Sequence, residues 1–417
     1  MTTLQENNRC DAIIFIPGLS DELTDQSIEG IAQRIGASLQ YETSAQTQLH
    51  TEALEYNPES IPTTSTENPS LSKTRMIRIS AKDQTSVDTT VDVYKLDYNN
   101  DFVHNYSESS LFYKTFRLLV LLIYGIPILI SSFRSKNNAK SSLEKCQLLF
   151  GIVLFSVFVA YMVILLIAVF GTLGAFDTTL LAPIFASSEG IIVFLALLES
   201  LRPNIRQFSE KIIVNYICLL EYLNFGKRRN VISGQLTNLL EYIGNKTAYQ
   251  HIHIVSYSFG TIIALDNLFP LNELPNKRTP IVNTLITIGC PFDIVRFFWK
   301  SYFNRRQVLL KETPKWINLY NPNDILSSNF RDDEELKEAQ VGIRLVNSDI
   351  IVKPNENIAH IDSVNIVEEL NLHRYLKSLF VLLSFLFRIR SHFIYWRKKY
   401  ENEKDCFSIL VSFIYRL

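Results

Sequence analysis

The chain has 417 residues and a mass of 48.0 kDa, enough for one large domain or two ordinary ones. With 41 Lys and Arg against 42 Asp and Glu the formal net charge is -1, which excludes a global electrostatic pull toward nucleic acid or an acidic polymer. Charged residues make up only 20 % and the mean hydropathy is +0.09, an average over long polar stretches and two strongly apolar ones, which excludes a disordered chain and argues against a plain cytosolic protein.

The N-terminal residues Met1 to Cys10 are polar, and no secretory signal peptide is expected there. Asp11 to Pro17 (DAIIFIP) is a short apolar run closed by Pro17-Gly18, which predicts a buried strand. Ile28, Ile31, Ile35 and Leu39 then recur at helical spacing. From Glu42 to Ser72 the composition turns to Ser, Thr, Asn, Gln and Pro, which reads as a long surface loop. Met76 to Ser80 and Val91 to Leu96 predict two more strands.

The next hundred residues have a different character. Leu118 to Phe133 is a 16-residue stretch without a charge, broken by Gly125 and Pro127, and Leu148 to Phe176 runs for 29 uncharged residues. A helix needs about 20 apolar residues to cross a bilayer, so the second stretch predicts a transmembrane span and the first a shorter span or re-entrant segment. A weaker stretch, Thr178 to Leu198, contains Glu189 and Pro183 and reads as interfacial or packed against protein. After Pro203 amphipathic helices return at Phe208 to Phe225 and Ser233 to Ile243, with strands at His251 to Val255, Val282 to Ile288 and Trp316 to Tyr320. The late run Ser378 to Phe387 is too short to span a bilayer. Arg388, Arg390, Arg397, Lys398 and Lys399 follow it, so this stretch reads either as a helix on an anionic surface or as a terminal helix packed on the domain.

Five scattered cysteines (Cys10, Cys146, Cys218, Cys290, Cys406) without a CxxC pair predict neither a disulfide framework nor a structural zinc site. His251 and His253 share one face of a strand, but with no third ligand nearby no metal site is expected.

The segment that carries chemistry is His251 to Asp266 (HIHIVSYSFGTIIALD). A strand leads into Ser256-Tyr257-Ser258-Phe259-Gly260 and then a helix, the small-x-Ser-x-Gly spacing of a nucleophile on a tight strand-to-helix turn. The flanking positions must be small so that strand and helix can pass closely. The backbone N–H of Phe259 would then point at a developing oxyanion. Further along, Trp316 to Tyr320 runs into a polar turn ending in Asp324, and Asn355 to Ala359 reads as a loop that carries His360. Of seven histidines only His360, His373 and His392 follow that acid; His373 falls in a Leu-rich stretch and His392 in the basic tail, which favours His360. Asp362, beside His360, is a local rival for the acid.

These pieces resemble the α/β-hydrolase superfamily of serine esterases and lipases, whose pattern is Gly-x-Ser-x-Gly followed in chain order by an acid and a histidine. Here Ser256 stands in the first small position. The resemblance covers roughly residues 10–100 and 230–365. It implies an α/β fold with a mostly parallel sheet and flanking helices, a catalytic Ser258–Asp324–His360 triad, and an oxyanion hole from Phe259 and from Leu19 after Pro17-Gly18. No metal or organic cofactor is implied. Thr284 to Pro291 resembles the strand after the nucleophile helix, with Cys290 a packed residue rather than a nucleophile.

The expected organisation is an N-terminal hydrolase part (1–110), a membrane insertion (111–200) with helices over 118–133 and 148–176, a C-terminal hydrolase part (201–370), and an apolar and basic helical tail (371–417). Because both hydrolase parts must join one sheet, the insertion must cross a membrane an even number of times. Arg134, Lys136, Lys140 and Lys145 against Glu144 in the connecting loop would place the catalytic halves outside by the positive-inside tendency. The polar start without a signal peptide points to the cytoplasm, and that is the expectation taken. The function expected is a membrane-attached serine hydrolase cleaving an acyl ester, in particular of a lipid, with the bilayer rather than nucleic acid as partner. An acyltransferase on the same triad and a non-catalytic membrane scaffold or sensor are the alternatives.

Overall fold

The computed structural model describes residues 9–19, 27–43, 46–53, 75–82, 88–98, 217–224, 226–245, 249–271, 281–299, 302–303, 306–308, 314–321, 324, 326–330, 343–345, 352, 355–359, 392, 395 and 406–415. The expected membrane insertion with its two helices, His360, and all of the 371–417 tail except residues 392, 395 and 406–415 lie outside the described residues. Among the described residues no helix is long and apolar enough to cross a membrane.

The main sheet has eight strands. In chain order they are β1 (Arg9–Ile16), β2 (Gln46–Ala53), β3 (Arg75–Lys82), β4 (Asp88–Lys95), β5 (His251–Tyr257), β6 (Thr284–Ile288), β8 (Lys315–Tyr320) and β10 (Glu356–Ala359). Their spatial order is β10-β8-β6-β5-β1-β4-β3-β2. Neighbours from β10 to β4 pair in parallel, and β4, β3 and β2 form an antiparallel meander. Two short strands, β7 (Arg306–Val308) and β9 (Ile343–Leu345), pair separately. The described helices are α1 (Ile28–Thr43), α2 (Gly226–Gly244), α3 (Phe259–Leu268), α4 (Phe292–Phe298) and α5 (Cys406–Tyr415). This is an α/β architecture with a mixed, mostly parallel sheet. These elements belong to one compact unit, and the helical residues 217–224 belong to a second.

Parallel strands need cover on both faces, and their sequences show it. In β1, residues 11–16 are all buried, and β5 is buried from Ile252 onward. On one face Ile13, Phe15, Val255, Tyr257, Ile286, Ile288, Ile317 and Leu319 pack with the Ile28–Ile31–Ile35–Leu39 stripe of α1 and with Phe407, Leu410 and Val411 of α5. The Ser27 hydroxyl caps α1 by accepting the Gly30 N–H at 3.0 Å. Helix α3 is buried along its whole length and packs on β5, β1 and α2. The α1–α5 cluster contains no α3 residue, so the two groups cover opposite faces.

Two expectations change here. The polar stretch read as a loop from Glu42 contains β2, an edge strand antiparallel to β3. An edge strand pairs along one side only, so a polar sequence such as QTQLHTEA joins the sheet without an apolar run to announce it. Residues Glu356–Ala359, read as a loop, form β10 on the opposite edge. The stretch from Ser378 to Lys399, read as a surface or packed helix, lies outside the described residues apart from residues 392 and 395; helix α5 beyond it is packed on the domain, with Cys406, Phe407, Leu410, Val411 and Ile414 buried and the Arg9 guanidinium 4.5 Å from the Tyr415 ring centroid.

The topology fixes where a site can form. From β1 the chain moves to β4 on one side, while β5 lies on the other side of β1 and leads to β6 and β8. In open sheets of this kind ligands bind where the winding reverses, at the carboxyl ends of the strands. The loops leaving β1, β5, β6 and β8 all emerge at that edge. Their registers Ile16↔Ser256, Tyr257↔Ile288 and Ile288↔Leu319 bring the strand ends level.

Candidate active site

Ser258 sits between β5 and α3 with φ 50° and ψ −125°. Positive φ is uncommon for any residue with a Cβ, and among the described non-glycine residues only Ser258 and Phe330 have it. Packing on both sides holds the turn. The Ser258 N–H donates to Ile288 O at 2.9 Å, and its carbonyl accepts the Thr261 N–H at 3.0 Å and the Thr261 hydroxyl at 2.6 Å. A Cβ on Gly260 would collide with the carbonyl oxygens of Ile16 and Pro17 and lie 2.9 Å from the Ile16 carbonyl carbon. Glycine there is what lets α3 begin against the end of β1. Ser256, in the first small position, is an ordinary strand residue, fully buried, with its hydroxyl donating to Ile286 O at 3.0 Å. Its backbone needs no glycine, so the departure from Gly-x-Ser-x-Gly leaves the turn intact.

Asp324 occupies the loop leaving β8 and is 1 % exposed. The imidazole between it and Ser258 is that of His392, not the expected His360. His392 Nδ1 lies 2.7 Å from Asp324 Oδ2, and His392 Nε2 lies 2.7 Å from Ser258 Oγ. A carboxylate only accepts, so Nδ1 carries the proton and Nε2 is left to accept from the serine hydroxyl. Asp324 Oδ1 accepts the Leu326 N–H at 2.9 Å. Chain order alone could not separate the two histidines, because both follow the acid. The signal that could have done so is the uncharged run Phe393-Ile394-Tyr395-Trp396 directly after His392, which suits a segment folded inward; within it Tyr395 is 1 % exposed.

Aromatic rings hold His392 in place. Tyr257, the residue before the serine, stacks on the imidazole with centroids 5.2 Å apart and planes at 24°, and its hydroxyl donates to His392 O at 2.5 Å. Tyr395 closes the cluster edge-on, 6.2 Å from the Tyr257 ring and 6.3 Å from the imidazole. Gly289, just past β6, has φ +58°, and a Cβ there would lie 3.0 Å from Tyr395 Cε2 and 3.2 Å from His392 Cε1. Ser258 is only partly buried, whereas His392 and Asp324 are enclosed. Solvent therefore reaches the group at the outer end of the chain of hydrogen bonds.

Of the two expected oxyanion donors, Phe259 is the first residue of α3, where helical N–H groups lack intrahelical acceptors. Leu19 is half-buried in the loop leaving β1. A Cβ on its neighbour Gly18 would lie 3.2 Å from Ser258 Cβ, so that loop passes directly beside the serine. Cys290 is fully buried and its thiol is pushed up to about 12, foremost by burial, which leaves it neutral and unreactive.

Away from this edge, His251 Nδ1 lies 3.1 Å from Asp11 Oδ1, and Arg9 Nε donates to Asp11 Oδ2 at 2.7 Å. Among the described residues no cluster of His, Cys, Asp and Glu is arranged to hold a metal ion. No family model matches the chain, and neither a curated protein nor a solved structure resembles it significantly.

Proposed function

We propose that this chain is a membrane-attached serine hydrolase of the α/β-hydrolase type, cleaving an acyl ester of a lipid through an acyl-enzyme on Ser258. The observation that carries the reading is the unbroken run Ser258 Oγ–His392 Nε2 and His392 Nδ1–Asp324 Oδ2, each 2.7 Å, on a positive-φ turn at the carboxyl edge of the sheet. Nothing in packing alone calls for a serine held in that conformation against a buried His–Asp pair. The chain order Ser258, Asp324, His392 is that of the superfamily.

In this mechanism His392 accepts the Ser258 proton as the oxygen attacks the ester carbonyl, and Asp324 holds the ring and stabilises the imidazolium. Backbone N–H groups of Phe259 and Leu19 receive the oxyanion. His392 then returns the proton to the leaving alcohol. Water, activated by the same imidazole, releases the acyl group.

The lipid preference rests on the uncharged stretches 118–133 and 148–176, which would keep the site beside a bilayer. Because β1 and β5 are hydrogen-bonded neighbours, any membrane crossed between them is crossed an even number of times.

Membrane fractions containing wild type and Ser258→Ala, treated with a fluorescent fluorophosphonate, test the reading. Labelling of wild type alone is expected, with wild-type turnover of dispersed long-chain lipid esters exceeding that of a short soluble ester. A folded wild type that does not label would overturn the hydrolase assignment in favour of a non-catalytic scaffold. Transfer of the acyl group to an added alcohol in preference to water would make the enzyme an acyltransferase.

A further inference from the structure

Several described groups outside the serine–imidazole pair are buried and polar, among them the three that follow. The Asp266–Arg306–Tyr302 cluster, with Arg306 Nη2 2.6 Å from Asp266 Oδ1, is a buried ion pair that ties the end of α3 to β7. The Arg9–Asp11–His251 group lies at the opposite end of the sheet from the site. Tyr395 is different, because its hydroxyl bonds to the acid of the triad itself.

We propose that Tyr395 is a positioning residue that sets the basicity of Asp324 and thereby the proton affinity of the His392–Asp324 pair. This rests on the serine hydrolase reading. The Tyr395 hydroxyl accepts the Asn321 N–H at 2.7 Å and donates to Asp324 Oδ2 at 3.1 Å. That is the same oxygen that accepts from His392 Nδ1. Two donors therefore converge on one carboxylate oxygen, with a third, Leu326 N–H, on the other. Each donor disperses negative charge and weakens the carboxylate's hold on an imidazolium.

The phenol is built to remain a donor. It is fully buried, and burial first and the Asp324 charge second hold its pKa well above the ordinary tyrosine value. Tyr395 also travels with the histidine, three residues along the same segment, so the contact that places the imidazole and the contact that tunes the acid form together. The titratable groups described against the imidazole and carboxylate are Tyr257 from β5, Asp324 itself and Tyr395.

The test is the pH profile of fluorophosphonate labelling in wild type, Tyr395→Phe, and a variant with 3-fluorotyrosine placed at 395 by codon suppression. Phenylalanine keeps the ring packing and removes the donor. The acidic limb should then move to higher pH, by roughly half a unit or more. Fluorotyrosine is a stronger donor of the same shape and should move the limb to lower pH. The second variant reads the effect even where the first is poorly folded. Opposite shifts support the proposal; limbs that stay with wild type in folded variants overturn it. A wild type that does not label removes the underlying reading, and the proposal with it, an outcome distinct from labelling with unmoved limbs.

Discussion

Gly289→Ala probes the site without altering any group that reacts. Two costs follow from its place in the structure. With φ +58°, an alanine backbone is held in the left-handed region at about 1 kcal/mol. The new methyl would also lie 3.0 Å from Tyr395 Cε2, 3.2 Å from His392 Cε1 and 3.5 Å from Asp324 Oδ2. The first two separations are several tenths of an ångström too short, and the rings they press on are enclosed by Tyr257 and the β6 and β8 loops. Crowding of this kind brings the total loss of stability to roughly 2 kcal/mol. The consequence for activity should be larger than for stability, since the imidazole must move away from the methyl and its 2.7 Å contacts with Ser258 and Asp324 lengthen. Small misplacements of reacting groups cost one to two orders of magnitude, so we expect the labelling rate with a fluorophosphonate to fall ~10- to 100-fold. Thermal unfolding and labelling kinetics on the same preparation check this. A variant destabilised as stated yet labelling at the wild-type rate would refute the claim that Gly289 makes room for the His392 imidazole.

Gly260→Ala should be worse for folding than for any single catalytic contact, because its Cβ meets backbone of Ile16 and Pro17 rather than a movable side chain; a loss of roughly 3 kcal/mol is expected, read as a lowered midpoint in denaturant. Stability should also fall with acid through His253. Its pKa is lowered to about 3, foremost by burial and then by the charges of His251 and Arg9; the Asp11 carboxylate 4.0 Å away is already engaged by both neighbours. The unfolded chain therefore binds a proton near pH 6.5 that the folded chain refuses, and stability present above 6.5 declines as pH falls toward 3. Between pH 6.5 and 5 this single group costs ~2 kcal/mol, and His253→Phe should flatten that part of the stability profile.

Much of this arrangement could be read from the chain, for reasons visible at particular residues. Buried parallel strands are short apolar runs, so β1, β5, β6 and β8 stood out, and the turn residues after them located the carboxyl edge. Ser258 was legible because the strand-to-helix turn leaves its signature within five consecutive residues, although the contacts that demand Gly260 come from Ile16 and Pro17 at the end of β1. Asp324 was legible as the polar end of β8. His392 was not, since its position depends on a segment that returns to the sheet from far along the chain and is held by Tyr257 and Tyr395 through long-range contacts. The basic residues on either side of it pointed to a surface, and the short run Phe393-Ile394-Tyr395-Trp396 argued otherwise. The edge strands β2 and β10 were hidden because pairing along one side requires little apolar sequence.

The choice between the two histidines is the most direct test of the account. Fluorophosphonate labelling rates should be measured for wild type, His392→Ala and His360→Ala in parallel membrane preparations. With His392 as the base, its removal lowers the rate by ~10³-fold or more, while His360→Ala stays within about twofold of wild type. If His360→Ala abolishes labelling and a folded His392→Ala retains it, the Ser258–His392–Asp324 assignment is wrong.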